Sequence, residues 1–324
     1  MKVLLYNYSI DKNKGEVRGN DILKNKVAPH IMAIILMFIW SLSYLSIKVV
    51  SEEVSPVLSA FYRFVLAAII LFIILKVKFP EEKVLKRDKS KFALGGLFGV
   101  AIYFIFENYA VAFTSASNVA ILIASIPVFT IFSQKIIFKE KLTYGKISGA
   151  TLSLVGIIII IASKERVSFL SKGNIGDLMA LGAVFSWVIY NMVCSSFKGN
   201  YKVITITTYE IMWGSLFLSP SLLFSNLQIP SAKVILNLIF LSIFCSCVGY
   251  VVYVHCLKEL GATIITTYIN LQPIMSLIAA AVILNETITI WQVLGCVVII
   301  VGVTLVSLDG RLNFRKRKKV YENL

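Results

Sequence analysis

Charged residues are scarce in this chain of 324 residues: they make up 15% of it, against about 25% in an ordinary soluble domain. Hydrophobic residues make up 58%. A soluble fold could bury only part of them, and large apolar patches would face water. The composition therefore excludes a soluble enzyme, a disordered chain and a secreted disulfide scaffold. It predicts that most of the chain lies in lipid.

Histidine is almost lacking, and no cysteine lies in a polar loop. The two histidines are His30 and His255, and all five cysteines fall inside apolar stretches. We therefore expect no metal site, no cofactor and no disulfide framework. The sequence has neither an HExxH motif nor a nucleotide-binding P-loop, which argues against a membrane enzyme and against direct drive by ATP.

What the chain has instead is a series of apolar stretches, each near the roughly 20 residues that a spanning helix needs. Ten such stretches predict an all-α integral membrane protein with ten transmembrane helices. They lie at 30–49, 56–77, 92–112, 115–137, 146–163, 175–196, 203–224, 233–256, 262–284 and 290–308. The longest internal gap, 78–91, is too short to fold as a soluble domain.

Basic residues set the orientation of these spans. The formal net charge is +15, which in a soluble protein would suggest a nucleic-acid partner. In a membrane protein, lysine and arginine accumulate on the cytoplasmic side. With a cytoplasmic amino terminus, the inner segments hold 26 of the 32 basic residues and the outer segments hold five. We therefore expect both termini in the cytoplasm, a plasma-membrane location and no nucleic-acid partner.

The two halves of the chain repeat each other. A shift of 146 residues pairs Pro127 with Pro273, and nearer the start of each half a shift of 147 pairs Trp40 with Trp187. Matches of such residues at a nearly fixed shift indicate an internal repeat. Each repeat has five spans, an odd number, so the second repeat enters the membrane upside down. Inverted repeats of this kind are typical of secondary transporters, whose substrate site lies near the midplane between the halves.

The repeat gives the domain organisation. A cytoplasmic tail at 1–27 precedes the first five-helix repeat at 28–163, and an external linker at 164–174 leads to the second five-helix repeat at 175–308. A basic cytoplasmic tail follows at 309–324.

Several segments resemble a known family. They are FIWSLSYLSIK around Trp40, FYRF at 61–64, ENYAVAFTSASNVAILIASIPVF at 107–129, and the repeated FKEKLTYGKISGATLSLVGIIII and LNETITIWQVLGCVVIIVGVTLV. These segments resemble the EamA-type group of the drug/metabolite transporter superfamily, over roughly 28–308. The resemblance implies two five-helix repeats and export of amino acids, other small metabolites or drugs. It does not choose among these substrates.

Charged side chains inside a span are costly and therefore are candidates for function. Arg63 and Glu107 both lie roughly 8–10 Å below the outer surface, so they are able to pair. Such a pair is either a structural bridge or an outer site for a zwitterion or a proton. Tyr103, four residues before Glu107, joins these candidate substrate-binding residues.

The second repeat places Glu210 where the first has Arg63, about 10 Å from the inner surface. Tyr253 matches Glu107, and His255 is near it in sequence. An inner cluster of Glu210, Tyr253 and His255 is therefore conceivable, and a poorly solvated carboxylate there could carry a proton.

Aromatic and amide residues at midspan are further candidates. Trp40 and Tyr44 share one helix face, as do Trp187 and Asn191, with Tyr190 beside them. They either line a substrate cavity or pack the helices. Asn270 is a candidate for contact with substrate or with a neighbouring helix.

The matched prolines Pro127 and Pro273 predict kinks that either hinge a gate or improve packing.

Other repeated residues read as structural. Glu140 and Glu286 each follow a span, where an acidic residue suits the N-terminus of the next helix. Gly149 and Gly156 are seven residues apart on one helix face, as are their matches in the second repeat. We expect these glycines to allow close helix packing, either between the halves or at a homodimer interface.

The sequence thus favours a secondary transporter that moves small organic metabolites across the plasma membrane by alternating access. Amino acids or related compounds are the preferred substrates, and export is the preferred direction of transport. The alternatives are an exporter of drugs, nucleosides or sugars with the same fold, or a membrane sensor or scaffold that transports nothing. The expected partners are a small-molecule substrate, the lipid bilayer and, if the glycine faces meet between chains, a second copy.

Overall fold

The computed structural model describes residues 19–113, 119, 122–162, 174–197, 201–224, 229–275, 278 and 289–322. Every regular element within these ranges is a helix, which confirms the all-α prediction at this level.

The helices of the first half follow the predicted apolar stretches. They are α1 (Gly19–Val50), α2 (Pro56–Lys78), α3 (Lys89–Gly96), α4 (Tyr103–Phe113), α5 (Ile126–Phe138) and α6 (Tyr144–Ala162). Pro56 opens α2, where a missing amide N–H costs nothing because the first turn has no carbonyl partner for it. A π-helical segment, Leu97–Ile102, joins α3 to α4.

The second half repeats this order. Its helices are α7 (Asn174–Ser195), α8 (Val203–Leu218), α9 (Ser221–Phe224), α10 (Ala232–Phe240), α11 (Gly249–Leu260), α12 (Ala262–Tyr268) and α13 (Ile290–Glu322). A second π-helical segment, Leu241–Val248, joins α10 to α11, and a 3₁₀ turn, Ile269–Leu271, follows α12. The two π-helical segments occupy equivalent places in the two repeats.

Five helical stretches of the described chain are long and apolar enough to cross a membrane. They are Pro56–Lys78, Lys86–Ala110, Ile175–Ser195, Ala232–Leu260 and Ile290–Asp309. Three further apolar helices are shorter, at Val27–Ser43, Ile126–Phe138 and Tyr144–Ile160. The structure therefore supports a helical membrane protein, while the count of ten spans stays a prediction.

The halves interleave rather than lying side by side. Helix α2 packs on α8, and α6 packs on α13. Helix α4 packs on α7, and α1 packs on α11. Each of these pairs joins one helix of the first half to one of the second. Residues that are matched across the repeat are thereby brought to the same central region.

The halves approach each other closely along the seam of α6 and α13. A Cβ atom at Gly156 would lie 2.7 Å from the carbonyl oxygen of Gly295, and one at Gly302 would lie 2.5 Å from that of Gly149. Only glycine lets two helix backbones come this near. The four glycines therefore meet within one chain, between its halves, so this face is not available as a homodimer interface.

Candidate functional site

A small cavity lies between the halves. Its volume is about 40 Å³, which is room for roughly three water molecules. Five residues predicted from the sequence line it, namely Trp40, Arg63, Tyr103, Glu107 and Trp187. Ser43, Tyr250 and Gln272 line it too. The walls thus combine one guanidinium, one carboxylate and several aromatic rings.

The guanidinium of Arg63 is held in place by the second half of the chain. Its Nε donates to the hydroxyl of Ser246 at 2.7 Å, and its Cζ lies 4.7 Å from the ring centre of Phe104 and 5.0 Å from that of Phe64. Ser246 belongs to the second π-helical segment. No described residue accepts a hydrogen bond from the terminal nitrogens of Arg63. These nitrogens remain available to an anionic group in the cavity.

The carboxylate of Glu107 is held within its own helix. Its Oε1 accepts a hydrogen bond from the Tyr103 hydroxyl at 2.8 Å, one helical turn away. Arg63 acts on Glu107 electrostatically. Within the described ranges, however, the two side chains do not come within the 4.0 Å of an ion pair. The direct pair considered from the sequence is therefore not formed, and both charged groups face one cavity.

Trp40 and Trp187 meet at the centre of the molecule. Their ring centres lie 5.8 Å apart, edge to face, and Trp40 stacks on Tyr253 at 5.4 Å. The Trp187 Nε1 donates to the Tyr253 hydroxyl at 3.0 Å, which donates in turn to the Asn191 Oδ1 at 2.7 Å. Asn191 is buried and donates to the Trp187 carbonyl oxygen at 2.7 Å. Asn191 therefore supports the tryptophan from behind and does not line the cavity.

The two π-helical segments supply acceptors to this centre. A π-helical turn widens the helix and releases backbone carbonyls from their regular partners. In the first segment, the carbonyl oxygen of Gly99 accepts a hydrogen bond from the hydroxyl of Tyr250 at 2.6 Å. In the second, the carbonyl oxygen of Cys245 accepts the indole N–H of Trp40 at 3.1 Å. Each repeat thus holds an aromatic residue of the other.

Glu210 lies outside the cavity, in a separate buried cluster. Its Oε1 accepts a hydrogen bond from the thiol of Cys194 at 3.2 Å, and Tyr190 lies beside the carboxyl group. Neither Tyr253 nor His255 joins this cluster. Tyr253 stacks on Trp40 and accepts a hydrogen bond from Trp187, and His255 interacts electrostatically with Lys258 and Glu259. The inner cluster predicted from the sequence is therefore wrong in two of its three members.

The remaining candidates occupy supporting positions. The Asn270 amide donates to Ser153 at 2.8 Å, so it links two helices. Pro127 lies in the first turn of α5, and Pro273 follows the 3₁₀ turn after α12. Both prolines therefore follow an interruption of the helix and do not kink a continuous one. Tyr190 is fully buried.

Of the two acidic residues matched between the repeats, Glu140 and Glu286, the structure describes only Glu140. Glu140 makes an ion pair with Lys146 at 3.0 Å, in the first turn of α6. This contact agrees with the structural role expected for Glu140. Glu286 and the side chain of Tyr44 lie outside the described residues.

Acidic side chains also tie the halves together at the two ends of the helices. At the end predicted to face the cytoplasm, Glu82 accepts the amide N–H of Lys202 and the hydroxyl of Thr205, both at 3.0 Å. We call these three residues the inner latch. At the opposite end, Glu53 accepts the amide N–H of Ser231 at 2.7 Å and its hydroxyl at 2.6 Å. Glu53 and Ser231 form the outer latch.

The outer latch depends on an ionised carboxylate. The hydrogen bonds from Ser231 lower the pKa of the exposed Glu53, with Lys233 adding a smaller electrostatic contribution. A carboxyl group with a lowered pKa stabilises its contacts above its ordinary titration range and loses them as the pH falls through the lowered value. The outer latch therefore persists at neutral pH.

The fold and its central cavity define a membrane transporter built from two repeats. The model of the EamA-like transporter family matches residues 28–162 and again 174–308. The chain belongs to this family, and the resemblance noted in the sequence is confirmed.

Known proteins agree with this assignment. A protein of Archaeoglobus fulgidus named an uncharacterized transporter is 30% identical, over 86% of this chain and 96% of its own. A probable amino-acid metabolite efflux pump of Salmonella typhimurium is 25% identical, over 84% of this chain and 92% of its own. A crystal structure with a TM-score of 0.73 and 16% sequence identity covers 89% of this chain and 98% of the matched chain. That likeness shows the fold alone.

Proposed function

We propose that this transporter exports amino acids or closely related zwitterions across the plasma membrane. One observation carries the proposal: Arg63 and Glu107 face one cavity without pairing with each other. A guanidinium fits a carboxylate group, and a carboxylate fits an ammonium group. The aromatic rings of Trp187 and Tyr103 lie beside them and suit an apolar or aromatic side chain. The likeness to the probable amino-acid metabolite efflux pump supports the same substrate class.

Transport proceeds in this proposal by alternating access across ten spans, with both termini in the cytoplasm. The cavity of about 40 Å³ admits water but is too small for an amino acid, so one end of the molecule must open for loading. The two latches are suited to this opening because each joins loops of opposite halves. Breaking the inner latch exposes the cavity to the cytoplasm, and breaking the outer latch exposes it to the outside.

Solute counterflow in proteoliposomes tests the proposed function. Vesicles loaded with unlabelled L-phenylalanine, L-leucine or L-threonine would receive the same labelled amino acid outside. We expect transient accumulation of at least one of them, and no accumulation of glucose or uridine in vesicles loaded with those solutes. Accumulation of a sugar or nucleoside alone, by protein shown to be folded, would contradict the amino-acid assignment. Saturable binding without any flux would indicate a sensor or scaffold.

The latches give a prediction that does not depend on the substrate. Glu82→Ala removes a carboxylate acceptor from the amide N–H of Lys202, and a hydrogen bond to a charged group contributes about 1.5–3 kcal/mol. We therefore expect amide hydrogen exchange at Lys202 to accelerate about tenfold or more in nanodiscs. The exposed neighbour Glu81 serves as the matched control, through Glu81→Ala.

Amide hydrogen exchange at the outer latch should be independent of exchange at the inner latch. The amide of Ser231 should keep its rate in Glu82→Ala and accelerate in Glu53→Ala. If the amide of Lys202 exchanges at the same rate in Glu82→Ala and Glu81→Ala, Glu82 does not hold the inner latch closed.

A further inference from the structure

Glu210 is a buried acid that the proposed substrate site does not use. It lies on α8 with no exposed surface. Helix α3 presses against it so closely that a Cβ atom at Gly95 would collide with its carboxylate, and one at Gly96 would collide with its carbonyl oxygen. The two repeats place Arg63 and Glu210 at equivalent positions. Arg63 therefore faces the cavity between the halves, whereas the residue matched to it in the second repeat is a fully buried acid.

In the described part of the chain, no lysine, arginine or histidine forms an ion pair with Glu210. Its Oε1 accepts only the weak thiol donor of Cys194, and its Oε2 has no hydrogen-bond partner among the described residues. The hydroxyl of Tyr190 lies beside this carboxylate but outside strict hydrogen-bond geometry, and that of Tyr250 donates to a backbone carbonyl. Lys258 is close enough to act electrostatically, but its Nζ donates to the carbonyl oxygen of Tyr201 at 2.6 Å.

A charged carboxylate in these surroundings would be unstable. Removing an ion from water costs several kcal/mol unless a partner of opposite charge compensates it. A carboxylic acid needs no such partner. The packing of the closed state therefore favours the protonated form of Glu210, and ionisation requires water or a cation to reach it.

The rings of Tyr190 and Tyr250 separate Glu210 from the substrate cavity. Tyr250 lines the cavity on one side, and its ring centre lies 6.0 Å from that of Tyr190, which borders Glu210 on the other. The proton site at Glu210 and the solute site beside Arg63 thus lie in separate compartments of the closed state.

We propose that Glu210 is the proton-carrying group that couples export to the proton gradient. Once the solute has left to the outside, the outward-open protein admits water past Tyr250 and Tyr190, and the carboxylate binds one proton. It releases this proton to the cytoplasm when the inner latch opens. One proton then enters for each solute that leaves. A zwitterion carries no net charge, so each cycle moves one positive charge inward. This inference rests on the proposed function and adds the coupling ion to it.

Glu210→Gln tests the coupling because glutamine keeps the size and the acceptor oxygen but holds no exchangeable acid proton. In proteoliposomes with equal pH on both sides, we expect measurable counterflow of labelled L-phenylalanine in this variant. An imposed pH gradient should raise accumulation about tenfold or more in the wild type and less than twofold in the variant. Glu210→Asp should restore part of the gradient response. Ser215→Ala on the same helix is the matched control, because that hydroxyl only bonds its own backbone.

Infrared spectroscopy supplies a second readout that needs no substrate. The wild type should show the carbonyl band of a buried protonated carboxyl group, and Glu210→Gln should lack it. A full gradient response in Glu210→Gln, or the absence of this band from the wild type, would overturn the proposal. If the wild type shows no counterflow of any amino acid, the proposed function fails first, and the coupling role falls with it. The infrared band then still decides whether Glu210 is protonated.

Discussion

Replacing Arg63 with alanine is expected to lower amino-acid counterflow at least a hundredfold. The guanidinium is the cation of the cavity wall, oriented by Ser246 and by two phenylalanine rings. Its loss removes a charge-assisted, two-pronged contact to a carboxylate from a water-poor site. A hundredfold effect corresponds to about 2.7 kcal/mol, which is within the range for such contacts.

Two conservative variants sharpen this prediction. Arg63→Lys keeps the charge but loses the planar fork, so we expect a loss of about tenfold, between that of alanine and the wild type. Glu107→Gln keeps the hydrogen bond from Tyr103 but loses the charge that attracts an ammonium group. It should impair amino acids more than their deaminated acids. Near-normal counterflow in Arg63→Ala, with normal thermal stability, would reduce Arg63 to a structural residue.

The glycine seam gives the largest expected effect on stability. In Gly302→Val, the new side chain would lie 2.5 Å from the Gly149 carbonyl oxygen and 2.6 Å from the Ser153 backbone nitrogen. Backbone atoms cannot rotate away as a flexible side chain can, so α6 and α13 must separate. Overpacking of this kind typically costs about 1–3 kcal/mol, and at the upper end of that range we expect a fall in Tm of about 4 °C.

Helix α6, the partner of α13 in the seam, supplies the control for this substitution. Thr151 lies on α6 with its side chain exposed, so Thr151→Val adds a valine where nothing obstructs it. Its Tm should stay within about 1 °C of the wild type. If Gly302→Val also leaves Tm unchanged, the two helices are not packed as closely as described here.

The residues at the centre of the fold can be predicted from the sequence because the chain is a repeat whose halves interleave. Trp40 and Trp187 match in sequence, and the interleaved halves bring these two positions together. The glycines of the seam followed from the same argument. The all-α class required only composition and the length of the apolar stretches.

Other features needed the folded chain. The π-helical segments have no residue signature here, so neither the carbonyl acceptors nor the contact of Ser246 with Arg63 could be predicted. The latches join loops far apart in sequence. The predicted cluster with His255 failed because Tyr253 and His255, two residues apart, lie on different faces of a helix.

The most direct test of the account compares three matched solutes in counterflow with the wild type. L-phenylalanine carries both charged groups, phenethylamine lacks the carboxylate, and phenylpropionate lacks the ammonium. A site with an arginine and a glutamate facing one cavity predicts accumulation of phenylalanine at least tenfold above either analogue. Equal accumulation of all three would contradict recognition of a zwitterion by Arg63 and Glu107, even though the protein transports.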